Sequence, residues 1–267
     1  MNVFLYVIIF IMGTLFGSFY TLAVYRIPKG IDIVKTHSFC PNCGHKLGFF
    51  ELIPVWSYLF LGGKCKKCKQ KIRPRYFILE ILSGLVFVAL AYGFEIDAYR
   101  LNLDCVIRFA FMVLYLVAIF IIASIDKEHR KIERNVLYYA LTISCSYIIY
   151  LCIMGQTSIY RYVMYLITLI ILLIIDSIIQ RKFAEESYLT GLLILIVVML
   201  INTGELVLCF SALAVFTAII LLKIFLHLKN AFNKSRKEQT NMLQVYKFGY
   251  LFSITNTLIF IICILLK

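Results

Sequence analysis

Eight apolar runs constrain this chain more than any other feature: roughly residues 3–25, 76–94, 105–125, 136–154, 160–180, 188–203, 206–226 and 248–266. A hydrocarbon core about 30 Å thick takes about 20 apolar residues of helix, so each run is long enough, or nearly so, to cross a bilayer. The composition agrees. The chain is 62% hydrophobic and 15% charged, with a mean hydropathy of +0.91, where soluble domains are nearer half apolar and a quarter charged. These figures exclude an ordinary soluble domain and predict an all-α polytopic membrane protein. The first run lacks a basic start and a small-residue cleavage site, and reads as a retained span and not as a removed signal peptide.

The connections between runs sort by charge. Segment 26–75 carries eleven Lys and Arg against Asp32 and Glu51, and 126–135 carries four cations. Segments 181–187 and 227–247 add Arg181, Lys182, Lys229, Lys234, Arg236, Lys237 and Lys247, whereas the alternate connections are poor in cations. Cytosolic loops concentrate Lys and Arg, so the basic connections are expected on the cytosolic side and both termini outside. The net charge of +13 therefore reads first as topology, and no nucleic-acid-binding module is recognisable.

Segment 26–75 contains Cys40-Pro41-Asn42-Cys43 and Cys65-Lys66-Lys67-Cys68, separated by twenty-one residues. That is the spacing of a zinc ribbon, in which two tight knuckles offer four thiolates to one tetrahedral ion. A reducing cytosol disfavours the alternative of disulfides, although two such pairs could also shuttle electrons. His37 and His45 flank the first knuckle, but four cysteines already fill a coordination sphere. Cys105, Cys145, Cys152, Cys209 and Cys263 are scattered through apolar runs and read as packing residues. The expected organisation is a first transmembrane helix over 1–25, a cytosolic four-cysteine zinc ribbon over 26–75, and a seven-helix membrane domain over 76–267.

Asp126 stands where the third run meets a charged patch, Lys127-Glu128-His129-Arg130-Lys131. A carboxylate at the end of a span either marks the water boundary or serves a function. Glu185 and Glu186 lie at the mouth of a later run on the same face. Two acids brought close cannot both ionise readily, and such a pair can activate water and protonate a leaving group. A Glu-Glu step at a helix start is also ordinary, because anions complement the dipole there. Asp176 either pairs with a neighbouring cation or belongs to the carboxylate site, and Glu80 either orients the cysteine segment or contacts a substrate.

Several motifs resemble the bacterial type IV prepilin peptidases, membrane-embedded aspartic proteases. Gly17-Ser18-Phe19 followed by Tyr25-Arg26-Ile27-Pro28 is similar to the family's opening. Ser38-Phe39-Cys40-Pro41 with Cys43, Leu52-Ile53-Pro54-Val55-Trp56-Ser57-Tyr58, Gly63-Lys64-Cys65 with Cys68, Arg75-Tyr76 and Glu80 are similar to its zinc-binding domain. Ile125-Asp126, with Ile132 beyond it, matches the first catalytic segment, and Lys247-Phe248-Gly249 resembles a family Phe-Gly turn. The second catalytic motif of the family, Gly-x-Gly-Asp-x-Lys, is missing. Lys182, Ala184, Glu185 and Ser187 occupy its positions, with Glu186 as a rival carboxylate, and Glu133 replaces a usual proline. The resemblance implies an endopeptidase that removes a short basic leader from pilin-like or pseudopilin precursors at the cytosolic face. Asp126 would work with Glu185 or Glu186, and Cys40, Cys43, Cys65 and Cys68 would hold structural zinc. Some family members also methylate the new N-terminus with S-adenosylmethionine; no pocket for that cofactor is visible in the sequence. The missing motif leaves open a catalytically impaired relative that binds or scaffolds pilin-like helices.

Overall fold

The computed structural model describes residues 2–33, 35–99, 102–155, 159–183, 188–232 and 247–266, with side chains described throughout these except at 159, 161, 179–183 and 219–232. Nine α-helices are described: α1 (Asn2–Arg26), α2 (Trp56–Phe60), α3 (Pro74–Gly93), α4 (Leu103–His129), α5 (Arg134–Ile153), α6 (Ile159–Phe183), α7 (Tyr188–Thr203), α8 (Glu205–Phe232) and α9 (Phe248–Leu265). All but α2 coincide with the apolar runs of the sequence to within a few residues. Among the described residues, five helical stretches are long and apolar enough to cross a membrane: Asn2–Lys29, Pro74–Gly93, Leu103–His129, Arg134–Ile153 and Phe248–Leu265. Tyr162–Ile178, Tyr188–Thr203 and Glu205–Ala218 are shorter apolar helices. The protein is an all-α membrane protein with a four-cysteine insertion between its first two long helices.

The chain divides into two compact units, Met1–Val113 with Ile264–Lys267 and Leu114–Cys263. In the first, α1 and α3 pack closely because small residues face each other. A Cβ on Gly13 would lie 2.8 Å from the Gly84 Cα, and one on Gly17 would lie 2.9 Å from the Glu80 Cα. Without a strong hydrophobic force between helices in lipid, such backbone approach is what holds them together. Arg26 at the end of α1 is buried and donates to the carbonyls of Ile33 at 3.0 Å and Thr36 at 2.8 Å. One guanidinium thus gathers the loop leading to the first knuckle.

Pro54-Val55-Trp56 forms a γ-turn: the Trp56 N–H donates to the Pro54 carbonyl at 2.6 Å, and Val55 takes φ 64°, ψ −55°. A β-branched residue at positive φ is strained by roughly 1–3 kcal/mol and persists only when held. The holder is Glu80 on α3, whose Oε2 accepts the Val55 N–H at 2.8 Å.

In the second unit, polar side chains join apolar helices. The Tyr115 hydroxyl donates to Asn256 Oδ1 at 3.3 Å, the Asn256 amide to Thr203 at 3.1 Å, and the Asn202 amide to Ser144 at 2.7 Å. Bonds of this kind contribute about 0.6 kcal/mol each in membrane bundles. Asp176 on α6 accepts from Arg134 on α5 and from the Thr190 hydroxyl on α7. This pair is buried, so removing one partner strands the other charge at a cost of about 3–5 kcal/mol. Arg134→Ala and Asp176→Ala are each expected to lower the melting temperature of the detergent-solubilised protein sharply. The double substitution should recover part of the loss; additive losses would mean that the pair is not coupled.

Candidate active site and metal centre

The two cysteine knuckles are one structure written twice. Cys40 N–H donates to the His45 carbonyl at 2.9 Å, Gly44 N–H to the Cys40 carbonyl at 2.9 Å, and Leu47 N–H to the Ser38 carbonyl at 2.9 Å. Twenty-five positions later the same bonds recur from Cys65 to Gln70 at 2.9 Å, Lys69 to Cys65 at 3.0 Å and Ile72 to Gly63 at 2.7 Å. Isolated bridges Phe39–Lys46 and Lys64–Lys71 close the two loops. Both knuckles need a left-handed residue after the second cysteine: Gly44 supplies it at φ 68° and Lys69 at φ 59°. The lysine bears the cost of that conformation, about 1–2 kcal/mol for a residue with a Cβ.

The loops bring Cys40, Cys43, Cys65 and Cys68 together, with all four sulfurs within 4.8 Å of one another. Cys40 and Cys68 Sγ are 3.9 Å apart, and Cys43 and Cys65 Sγ are 4.0 Å apart. Tetrahedral zinc with Zn–S bonds of about 2.3 Å needs sulfurs about 3.8 Å apart, so the cluster fits that ion. The Gln70 backbone N–H and the Asn42 amide pull the Cys68 thiol down to about 6. Cys43 accepts the His45 N–H, which favours its thiolate, yet burial and the neighbouring sulfurs push it up to about 11. Cys43 and Cys68 are thus pushed in opposite directions, and a divalent cation would draw both to the thiolate. His45 stands outside the cluster, its Nε2 3.1 Å from Glu51 Oε2, which also accepts the Gly48 N–H at 2.8 Å. Those two contacts, the Gly48 bond first, hold the Glu51 carboxyl below its usual range. Cys65→Ser is expected to reduce zinc from one ion per purified chain to a small fraction and to expose segment 38–72 to protease. Full zinc content in that variant would exclude the four-sulfur centre.

In the second unit, Asp126 lies in the last turns of α4 and is 0% exposed. Its Oδ2 accepts the backbone N–H of Tyr250 at 2.8 Å and the hydroxyl of Tyr188 at 3.2 Å. The Tyr188 oxygen in turn accepts the Gly249 N–H at 3.0 Å. Two orphan N–H groups of the first turn of α9 are thus spent on the aspartate, one directly and one through a phenol. This is the usual use of a positive helix end. Lys127 reinforces the junction, with Nζ 3.2 Å from the Tyr250 hydroxyl, and Lys247 donates to the Lys127 carbonyl.

The other oxygen, Oδ1, is buried with no hydrogen-bond partner among the described residues. Gly249 fits because a Cβ there would lie 3.1 Å from Asp126 Oδ2, and Ile132 closes the site beside Gly249 and Gly191. Glu185 and Glu186 lie outside the described residues. Asp176 is engaged by Arg134 and Thr190, as above. Glu80 props the γ-turn before α2. Tyr188 and the N–H groups of Gly249 and Tyr250 carry no signature in the sequence; the Phe248-Gly249 pair was the one hint.

The chain matches the family described as Bacterial Peptidase A24 N-terminal domain over residues 11–94, the stretch that holds most of α1, both knuckles and α3. Residues 11–94 are thus similar to an A24 peptidase N-terminal domain. Several curated proteins named prepilin leader peptidase/N-methyltransferase are also similar to the chain. The chain is 41% identical over 83 residues to one from Myxococcus xanthus, covering 31% of this chain and 25% of the relative. It is 36% identical over 123 residues to one from Vibrio cholerae, covering 43% and 46%. A third, from Bacillus subtilis, is 33% identical over 136 residues, covering 50% of each chain. The matches thus span a quarter to a half of the length of these relatives. No solved structure matches the chain. These similarities support the resemblance to the prepilin peptidases read from the motifs.

Proposed function

We propose that the protein is a membrane-embedded aspartic endopeptidase that removes a short basic leader from pilin-like precursors at the cytosolic face of a bacterial inner membrane. The single observation that carries this reading is the half-engaged Asp126. Both donors need lone pairs on Oδ2, so a water or a shared proton has only Oδ1 to meet. In the proposed reaction Asp126 Oδ1 takes a proton from water, whose oxygen adds to the scissile carbonyl. Glu185 or Glu186, protonated as the second member of the pair, gives its proton to the departing amine. The proton taken by Asp126 then returns to the glutamate, and both acids are restored. Tyr188 lies two positions after Glu186 in sequence and touches Asp126, which supports a partner from this connection.

The A24 domain is assigned to holding the helix and leader of the precursor, with zinc as a structural ion, the basic connections cytosolic and both termini outside. N-methyl transfer is the second activity in the relatives' names, and with S-adenosylmethionine as the donor it extends the same reading. A second reading rests on a specific departure. Lys182 and Ala184 stand where the family motif has glycines, and Glu185 where it has aspartate. On that ground the protein binds pilin-like helices without cutting them.

Co-expression with a cognate precursor distinguishes the two, read by mass spectrometry for leader loss and for one methyl on the mature N-terminus. Asp126→Asn is expected to lower cleavage roughly a thousandfold, as does one of Glu185→Gln and Glu186→Gln, since acid–base groups contribute about 10²–10⁴ each. Cleavage that survives Asp126→Asn rejects the aspartyl mechanism, and a wild-type chain that binds precursor without cutting it establishes the second reading.

A further inference from the structure

The cysteine-bearing segment exposes a cluster of large apolar side chains. Phe50 is 80% exposed, Trp56 59% and Phe60 81%, with Phe49 and Leu59 beside them. On α2, positions 56, 59 and 60 share one side by helical spacing. The Trp56 and Phe60 rings stack with centroids 5.9 Å apart, and Phe49 and Phe50 meet edge-on at 5.7 Å. The opposite side of α2 is used internally, where Tyr58 stacks on Phe77 at 4.9 Å. Aromatic clusters of this kind are rarely left in water unless something covers them.

What covers them follows from where α2 is fastened. Phe77 and Glu80, which hold Tyr58 and the Val55 N–H, lie about 4.5 and 9 Å along α3 from its start at Pro74. Because α3 is a candidate span whose Ile78 and Leu82 face outward, α2 lies beside the first turns of a membrane helix. That is the depth of the aromatic belts of membrane proteins. Seven exposed cations lie between Lys64 and Arg75, and no acid occurs from residue 52 to residue 79.

We infer that residues 49–60 form an interfacial lipid-binding element, its aromatic side chains seated at the headgroup–acyl boundary and the following lysines set against anionic phospholipid headgroups. This combination of apolar area and cations is what binds a peripheral helix to a charged bilayer. The inference rests on α1 and α3 spanning the membrane and stands apart from peptidase activity.

Trp56 is the one tryptophan of the chain, so intrinsic fluorescence reports this element alone. In full-length protein reconstituted into phosphatidylglycerol-containing liposomes, lipids brominated near the headgroup end of the acyl chain are expected to quench Trp56 at least about twofold. Aqueous iodide should have little effect. High salt, or replacement of the anionic lipid by phosphatidylcholine, should weaken the lipid quench. A Phe50→Ser/Phe60→Ser variant that keeps its zinc should lose at least about half of it, since two of the three exposed rings beside Trp56 are gone. Strong iodide quenching without a bromolipid response would overturn the inference, and an unchanged quench in the double variant would remove the cluster from it. Protection from iodide that develops only on adding a basic leader peptide would overturn it in favour of a peptide groove.

Discussion

A buried carboxylate fixes the arrangement of helices around it. Asp126 is placed in an apolar bundle, where an uncompensated charge costs several kcal/mol. The donors that offset the cost come from two other helices, the Tyr188 hydroxyl of α7 and the Tyr250 N–H of α9. Hydrogen bonds to a charged group contribute about 1.5–3 kcal/mol each, so the aspartate holds only where the end of α4 and the starts of α7 and α9 converge. The same convergence leaves position 249 tight, with a Cβ there only 3.1 Å from Asp126 Oδ2. It also leaves one oxygen of the aspartate without a partner, and the proposed chemistry begins from that oxygen.

The cysteine-bearing segment is organised on a different principle. Segment 27–73 has little apolar interior and depends on point fasteners. Arg26 collects carbonyls, four sulfurs converge, and Glu80 holds a strained turn. Because its own core is too small, such a segment depends on its anchorage on α1 and α3, and a metal held by the four sulfurs would add to it. Its exposed rings follow from the same economy: there is no interior in which to place them.

Much of this was legible in the sequence, and the reason differs by feature. The long helices were readable because hydrocarbon thickness sets a minimum apolar length, and the ends of α7 and α9 fall at or within a residue of the expected limits. The sulfur cluster was readable because tetrahedral coordination demands closely spaced thiols. Asp126 could be singled out by position alone, but not its partners, since a backbone N–H bears no residue signature and Tyr188 looks like any interfacial tyrosine. The sequence left Asp176 open between a cation and the carboxylate site, and the structure pairs it with Arg134. Nothing in Pro54-Val55-Trp56 announces a γ-turn, and so the role of Glu80 emerged only from the fold.

The central claim is that an acid from the 184–187 connection meets Asp126. Cysteine cross-linking in native membranes tests it without reference to substrate. Asp126→Cys combined with Gly249→Cys is the positive control, because a Cβ at 249 lies 3.4 Å from the Asp126 Cγ. The account predicts that Asp126→Cys joined with Glu185→Cys or with Glu186→Cys also forms a disulfide, identified by peptide mass spectrometry. A control that cross-links while both glutamate pairs stay reduced would contradict it.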